Sequence, residues 1–228
     1  MVSWIVLLLL VVVAFLVSKN IKMIPSGLTN ILEMIVEGAL SLIDSVTNDR
    51  KQSRQFFPWV MTIFLFVVVS NWMGLLPGFG SITLQEGEES IHVFRGATSD
   101  LNVTLALAII SVISIQVFGI VTLGFFKYAG KFIVPPWKKP YGIGTFVGFL
   151  ELISELVKVV SFSFRLFGNI FAGEVLLMVV TYLTKFFVPL PFYFLEIFVG
   201  FIQGLVFAML TLVFMKMAVT SHEEGHEH

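Results

Sequence analysis

Apolar residues come in long runs broken by short polar stretches, and the spacing inside each run separates the elements. Residues 2–17 are apolar but for Ser3, and Lys19 and Lys22 follow them. Residues 26–54 change character: Leu28, Ile31, Leu32, Ile35, Ala39, Leu42, Ile43 and Val46 recur at helical spacing, with Glu33, Glu37 and Asp44 off the stripe. That pattern predicts one amphipathic helix, either lying on a membrane surface or packed on a partner. Predominantly apolar runs without charged residues return at 56–76, with Pro58 expected in the first turn, and at 101–126. An acidic polar segment expected as a loop joins them. After a lysine- and proline-rich connection, residues 142–187 continue without proline, and VPLP at 188–191 marks a turn before a last run at 192–219.

Length and composition fit a membrane reading. Of 228 residues, 57% are hydrophobic and 13% charged, and no segment outside the apolar runs could build a separate soluble core. The expected architecture is an all-α polytopic membrane protein, one membrane domain over 1–228. It has about five membrane helices and one interfacial helix, the last two membrane helices long and strongly tilted. As one helix, 142–187 would be about 69 Å long, against a hydrocarbon core of ~30 Å, so it must lean strongly or break. The first run lacks a basic leader and a small-residue cleavage site, which favours a retained anchor over a signal peptide. Absence of cysteine excludes disulfides and thiolate chemistry.

Charge placement orients the chain. Five Lys and Arg in 18–55, four in 127–140 and Lys216 fall on one side, against Arg95 and Lys185 on the other. The richer side belongs inside, which places the N-terminus out and the C-terminus in.

Chemistry is suggested by polar residues inside the long run. A charge at mid-bilayer costs at least ~2.5 kcal/mol and normally faces protein or water. At 100° per residue, Glu151, Glu155, Lys158, Arg165 and Asn169 share a stripe about 80° wide, while Glu174 points the opposite way. Glu151 and Glu155 lie ten or more residues inward of Arg165, too far for direct pairing on one helix. They form either a solvated entrance or part of a proton path. The last run carries Glu196 and Gln203 on one face, with Gly200 and Gly204 as a small-residue pair that admits a neighbouring helix. An antiparallel neighbour would set Arg165 at the depth of Gln203 and Glu174 at that of Glu196. Asp100 is expected to cap the third run rather than serve an ion entrance. In the tail, His222, Glu223 and His226 match a zinc-protease spacing, but a glycine interrupts the motif and no third ligand follows. A solvated tail is the expectation.

The motif RLFGNIFAGE, followed by FIQGLVFAMLTLVF, resembles subunit a of F-type ATP synthases. The resemblance is best over 145–220 and continues in NWMGLLPG and SDLNVTLALA. It implies a membrane stator, not an enzyme by itself, beside a rotating ring of c subunits, with two long tilted helices along the ring and two offset half-channels. By position, Arg165 would face the ring's ion-binding carboxylate. Asn169 and Gln203 would support it, Glu174 and Glu196 would relay protons in the outer half-channel, and Glu151, with Glu155 near it, would lie on the inner side. Whether Glu174 or Glu196 accepts the proton stays open. Implied partners are the c ring, the peripheral-stalk b subunits, the rest of the complex, protons and lipid, in a bacterial cell membrane. Neither nucleic acid nor any cofactor or metal is called for. The competing reading is a self-contained ion transporter or channel, which would be expected to show an internal repeat that this sequence lacks.

Overall fold

The computed structural model describes residues 2–19, 28–76, 83–86, 89–92, 96–125, 128, 130, 143–184 and 187–220. Its principal elements are α1 (Val2–Lys19), α2 (Leu28–Thr47), α3 (Arg50–Leu75), β1 (Thr83–Glu86), β2 (Glu89–His92), α4 (Leu101–Leu123), α5 (Ile143–Thr184) and α6 (Pro189–Thr220). Four helices, α3 to α6, are long and apolar enough to cross a membrane. The segment Val2–Leu16 of α1 is a shorter apolar helix, so the first of the five expected spans stands apart from the other four in length.

Several boundaries depart from the sequence pattern. The stretch 26–54 is not one helix, because α2 stops at Thr47 and α3 begins at Arg50. Asn48 turns the chain at φ 56°, a left-handed conformation that asparagine tolerates better than most residues. Asp49 then caps α3, its carboxylate accepting from the Lys51 amide at 2.9 Å. Ser53 secures the corner by bonding the Thr47 hydroxyl at 2.5 Å and the Asp49 carbonyl at 2.9 Å. With α3 starting this early, Pro58 lies in the helix interior and not in its first turn, and the Arg54 carbonyl loses its helical donor. At the other end, α4 closes at Leu123, because Gly124 takes φ 82°. The turn expected over VPLP keeps only Val188 of that segment, because α6 already starts at Pro189, where the missing amide hydrogen costs nothing. Within the polar segment expected as a loop, β1 and β2 form an antiparallel ribbon pairing Thr83 with His92 and Glu86 with Glu89.

The core sits where α6 meets α3 and α4. One apolar cluster joins Ile43 of α2, Phe56 and Val60 of α3, Ile115 of α4 and Ala208, Leu212 and Met215 of α6. A second joins Ile63 and Val67 to Ala108 and Val112, to Phe162 and Leu166 of α5 and to Phe207. Val2 and Val6 of α1 pack with Ala97, beside Phe66, Val69 and Met73. The glycine pair of α6 faces α3. A β-carbon on Gly204 would stand 2.5 Å from Val68 Cγ2, and one on Gly200 would stand 3.1 Å from the Asn71 β-carbon. Asn71 Nδ2 and Trp72 Nε1 then reach the carbonyls of Gly200 and Ile197, each at 3.0 Å.

Gly204→Leu should therefore lower stability by about 1–3 kcal/mol through overpacking against α3. By contrast Gly38→Ala, in open space within α2, should raise it by about 0.5–1 kcal/mol through reduced chain entropy. Denaturant titration of the purified chain in detergent micelles checks both.

Candidate functional site

The polar side chains inside the helical body gather at three levels along α5, called outer, middle and inner after the orientation expected from charge placement. At the middle level, Asn169 Nδ2 donates to Gln203 Oε1 at 2.6 Å, tying α5 to α6. Gln203 was expected at the depth of Arg165, but its bonded partner is Asn169, one turn along α5, while Glu196 lies on Gly173, within one residue of the expected level of Glu174. Arg165 instead turns back along its own helix, Nη2 donating to Ser161 Oγ at 3.2 Å. Among the described residues it makes no ion pair; the ion pairs found there join Arg50 to Asp44 and Lys158 to Glu155. Its helix is also the barest of the membrane-length four, with 17% of its most apolar window buried against 39% for each of the others. Next to Arg165 the outward face of α5 carries Phe164 and the small residues Ser161, Gly168 and Ala172, all exposed. A β-carbon on Gly168 would meet nothing within 4 Å.

At the outer level, Glu196 is buried at 6% exposure and lies directly on Gly173. A β-carbon there would stand 2.0 Å from Glu196 Oε1, so the glycine is what lets the carboxylate sit between the two helices. Glu174 turns away from Glu196's seat toward the turn before α4, its Oε1 3.4 Å from the β-carbon position of Gly96. Gly96 in turn lies against Gly74 of α3, backbone to backbone at 3.3 Å from the Gly74 β-carbon position. The walls of this level include residues that sequence pattern did not single out: Ser70, Asn71, Thr98 and Ser99 are all buried at 3% exposure or less. Ser70 Oγ, Asn71 Oδ1 and Thr98 Oγ1 have no hydrogen-bond partner. Buried unsatisfied oxygens of this kind suit a wetted lining. Asp100 is the cap it was expected to be, accepting from the Asn102 amide at 2.9 Å.

At the inner level, Lys158 Nζ donates to Glu155 Oε1 at 2.7 Å and sits 4.7 Å above the centre of the Phe214 ring. Glu151 is half-buried one turn further along. The tail histidines and Glu223 lie outside the described residues.

Membrane-length helices whose ionisable side chains are held in a graded row define an integral membrane protein with a charge-bearing interior. The chain belongs to the ATP synthase A chain family, whose model matches residues 1–216. Among its relatives is the ATP synthase subunit a of Campylobacter jejuni subsp. jejuni serotype O:23/36 (strain 81-176). That protein is 36% identical over 226 residues, covering 97% of this chain and 89% of the relative. The ATP synthase subunit a of Geobacter sulfurreducens is 31% identical over 224 residues, covering 98% of this chain and 87% of the relative.

The Asn169 to Gln203 bond should carry about 1 kcal/mol of coupling between α5 and α6, the usual size for a side-chain hydrogen bond in a membrane protein. A double-mutant cycle of Asn169→Leu and Gln203→Leu, read by unfolding in mixed micelles, measures it.

Proposed function

We propose that this chain is the proton-translocating subunit of the membrane sector of an ATP synthase, in a bacterial cell membrane. In this reading it forms two offset half-channels against a rotating ring of c subunits and couples proton flow to rotation. The observation that carries the reading is Arg165, a permanent charge on the barest membrane-length helix with no counter-charge among the described residues. A partly exposed charge left in that state within a membrane-length helix calls for an external acid. Beside it the exposed small residues Ser161, Gly168 and Ala172 would let another helix approach closely.

The chemistry follows from electrostatics. A ring carboxylate passing within 4 Å of Arg165 is favoured in its ionised form by about 4 kcal/mol at an effective dielectric near 20. It must therefore give up its proton before passing. Arginine serves because its guanidinium stays charged, whereas a buried lysine can release its proton. On one side of Arg165 the outer level supplies protons through Glu174 and Glu196; on the other, protons leave toward Glu151 and Glu155. The guanidinium blocks a direct leak between the two. Each charge crossing the membrane delivers about 2.3 kcal/mol per 100 mV, which rotation passes to the catalytic head.

In the assembled complex reconstituted into vesicles, Arg165→Ala should abolish both ATP-driven pumping and proton-driven synthesis. Coupled transport that survives the substitution would sink the assignment. Glu196→Gln should slow proton flux and change its pH dependence, and an unaltered profile would remove Glu196 from the path.

A further inference from the structure

The ends of α4 and α5 nearest the 127–140 connection enclose a polar group that neither the outer level nor Arg165 uses. A contact of 3.2 Å between Thr104 Oγ1 and Ser163 Oγ sets the register of these antiparallel helices. The same number of residues onward along α4 and back along α5 brings Gln116 level with Glu151, and Glu155 stands one turn away. Tyr128, just beyond α4, folds back and is buried at 3% exposure. Its hydroxyl donates to Gln116 Oε1. Its ring occupies the space left by Gly119, where a β-carbon would stand 2.4 Å from the ring edge. The phenol also lies within the fields of Glu155 and Glu151, the acids that face it from α5; Glu155 is paired with Lys158, and α4 contributes the uncharged Gln116. Burial first, then those two charges, push its pKa up to about 12, so it remains a donor across the working pH range.

Two atoms in this group are left over. Gln116 Nε2 and Glu155 Oε2 are buried without a hydrogen-bond partner. Each such atom costs about 1–3 kcal/mol if it stays dry. A water able to reach both would satisfy them, accepting from the amide and donating to the carboxylate.

We propose that Gln116, Glu155 and Lys158 line a water-holding pocket between α4 and α5 at the foot of the polar stripe, with Tyr128 as the positioning residue that fixes the Gln116 amide. Proton passage through this pocket rests on the function proposed above. Its wetness does not.

The chain contains no cysteine, so a single Gln116→Cys substitution in the assembled complex provides a unique target. A membrane-impermeant methanethiosulfonate reagent added on the side of the 127–140 connection should label it. Ile113→Cys, on the outward face of α4, should stay unlabelled. Absence of labelling at Gln116→Cys, or labelling from the opposite side alone, overturns the pocket; Glu155→Cys gives the same readout should Gln116→Cys fail to assemble. Tyr128→Phe, which removes one buried hydrogen bond but keeps the ring, should lower the unfolding midpoint only slightly, slow proton flux several-fold and shift its dependence on the pH of that side. Unchanged flux, or slower flux with an unchanged pH profile, overturns the positioning role. Surviving coupled transport in Arg165→Ala would reject the proposed function while leaving the labelling result intact.

Discussion

A guanidinium cannot discharge itself, and hydrocarbon cannot solvate it. Insertion at mid-bilayer costs at least ~2.5 kcal/mol even with snorkelling and local water, so the rest of the molecule must answer that charge or leave it answerable. Here the chain leaves it answerable. Arg165 has one hydroxyl, that of Ser161, and the nearby amide that could have drawn it inward is otherwise engaged: Gln203 bonds Asn169 one turn outward. The surrounding architecture keeps this face open, with α5 packed on α4 and α6 along one side and bare on the other.

Close helix packing elsewhere makes that openness possible. The helix α6 acts as the axis, presenting Gly200 and Gly204 to α3 and Gln203 and Glu196 to α5. On the α3 side, Asn71 and Trp72 reach α6 carbonyls, so polar groups in an apolar setting are spent on joining helices. On the α5 side, Gly173 gives its missing side chain to Glu196. One small residue thus joins backbones and another houses a carboxylate. The difference lies in which atom occupies the vacated space.

Much of this was legible in the sequence, and the exceptions have physical reasons. Hydropathy located the membrane-length helices, because an apolar run of such length has few other uses. The break between α2 and α3 was hidden inside 39–57, which has neither glycine nor proline; an asparagine that tolerates positive φ and an aspartate cap did that work. The depth pairing of α5 and α6 was legible within a residue where Glu196 lies on Gly173, next to Glu174, whereas the amide bonded to Gln203 is that of Asn169, one turn from Arg165. Which helix the Gly200 and Gly204 pair would meet could not be read, because periodicity gives a face and not its neighbour. Ser70, Asn71, Thr98 and Ser99 escaped notice because small polar residues are common inside membrane helices, often bonded to their own backbone. Their clustering near NWMGLLPG and SDLNVTLALA was the available signal.

The arrangement of the three levels constrains any path for a proton. Glu151 and Glu174 are separated by about 35 Å along α5, more than the hydrocarbon thickness. Between the outer and inner levels, the protein-facing side of α5 is closed by an apolar cluster of Phe162, Leu166, Phe207, Ile63, Val67, Ala108 and Val112. Nothing in that cluster can accept or donate a proton. In the proposed function, a proton entering at Glu196 and leaving at Glu155 would meet on that side buried hydroxyls such as those of Thr104 and Ser163, but, among the described residues, no buried ionisable side chain to carry it between the levels. In that reading it crosses on the exposed side of α5, carried by something that moves past Arg165. The apolar cluster and the bare helix thus both fit the proposed reading, in which the carrier is acidic, mobile and outside this chain.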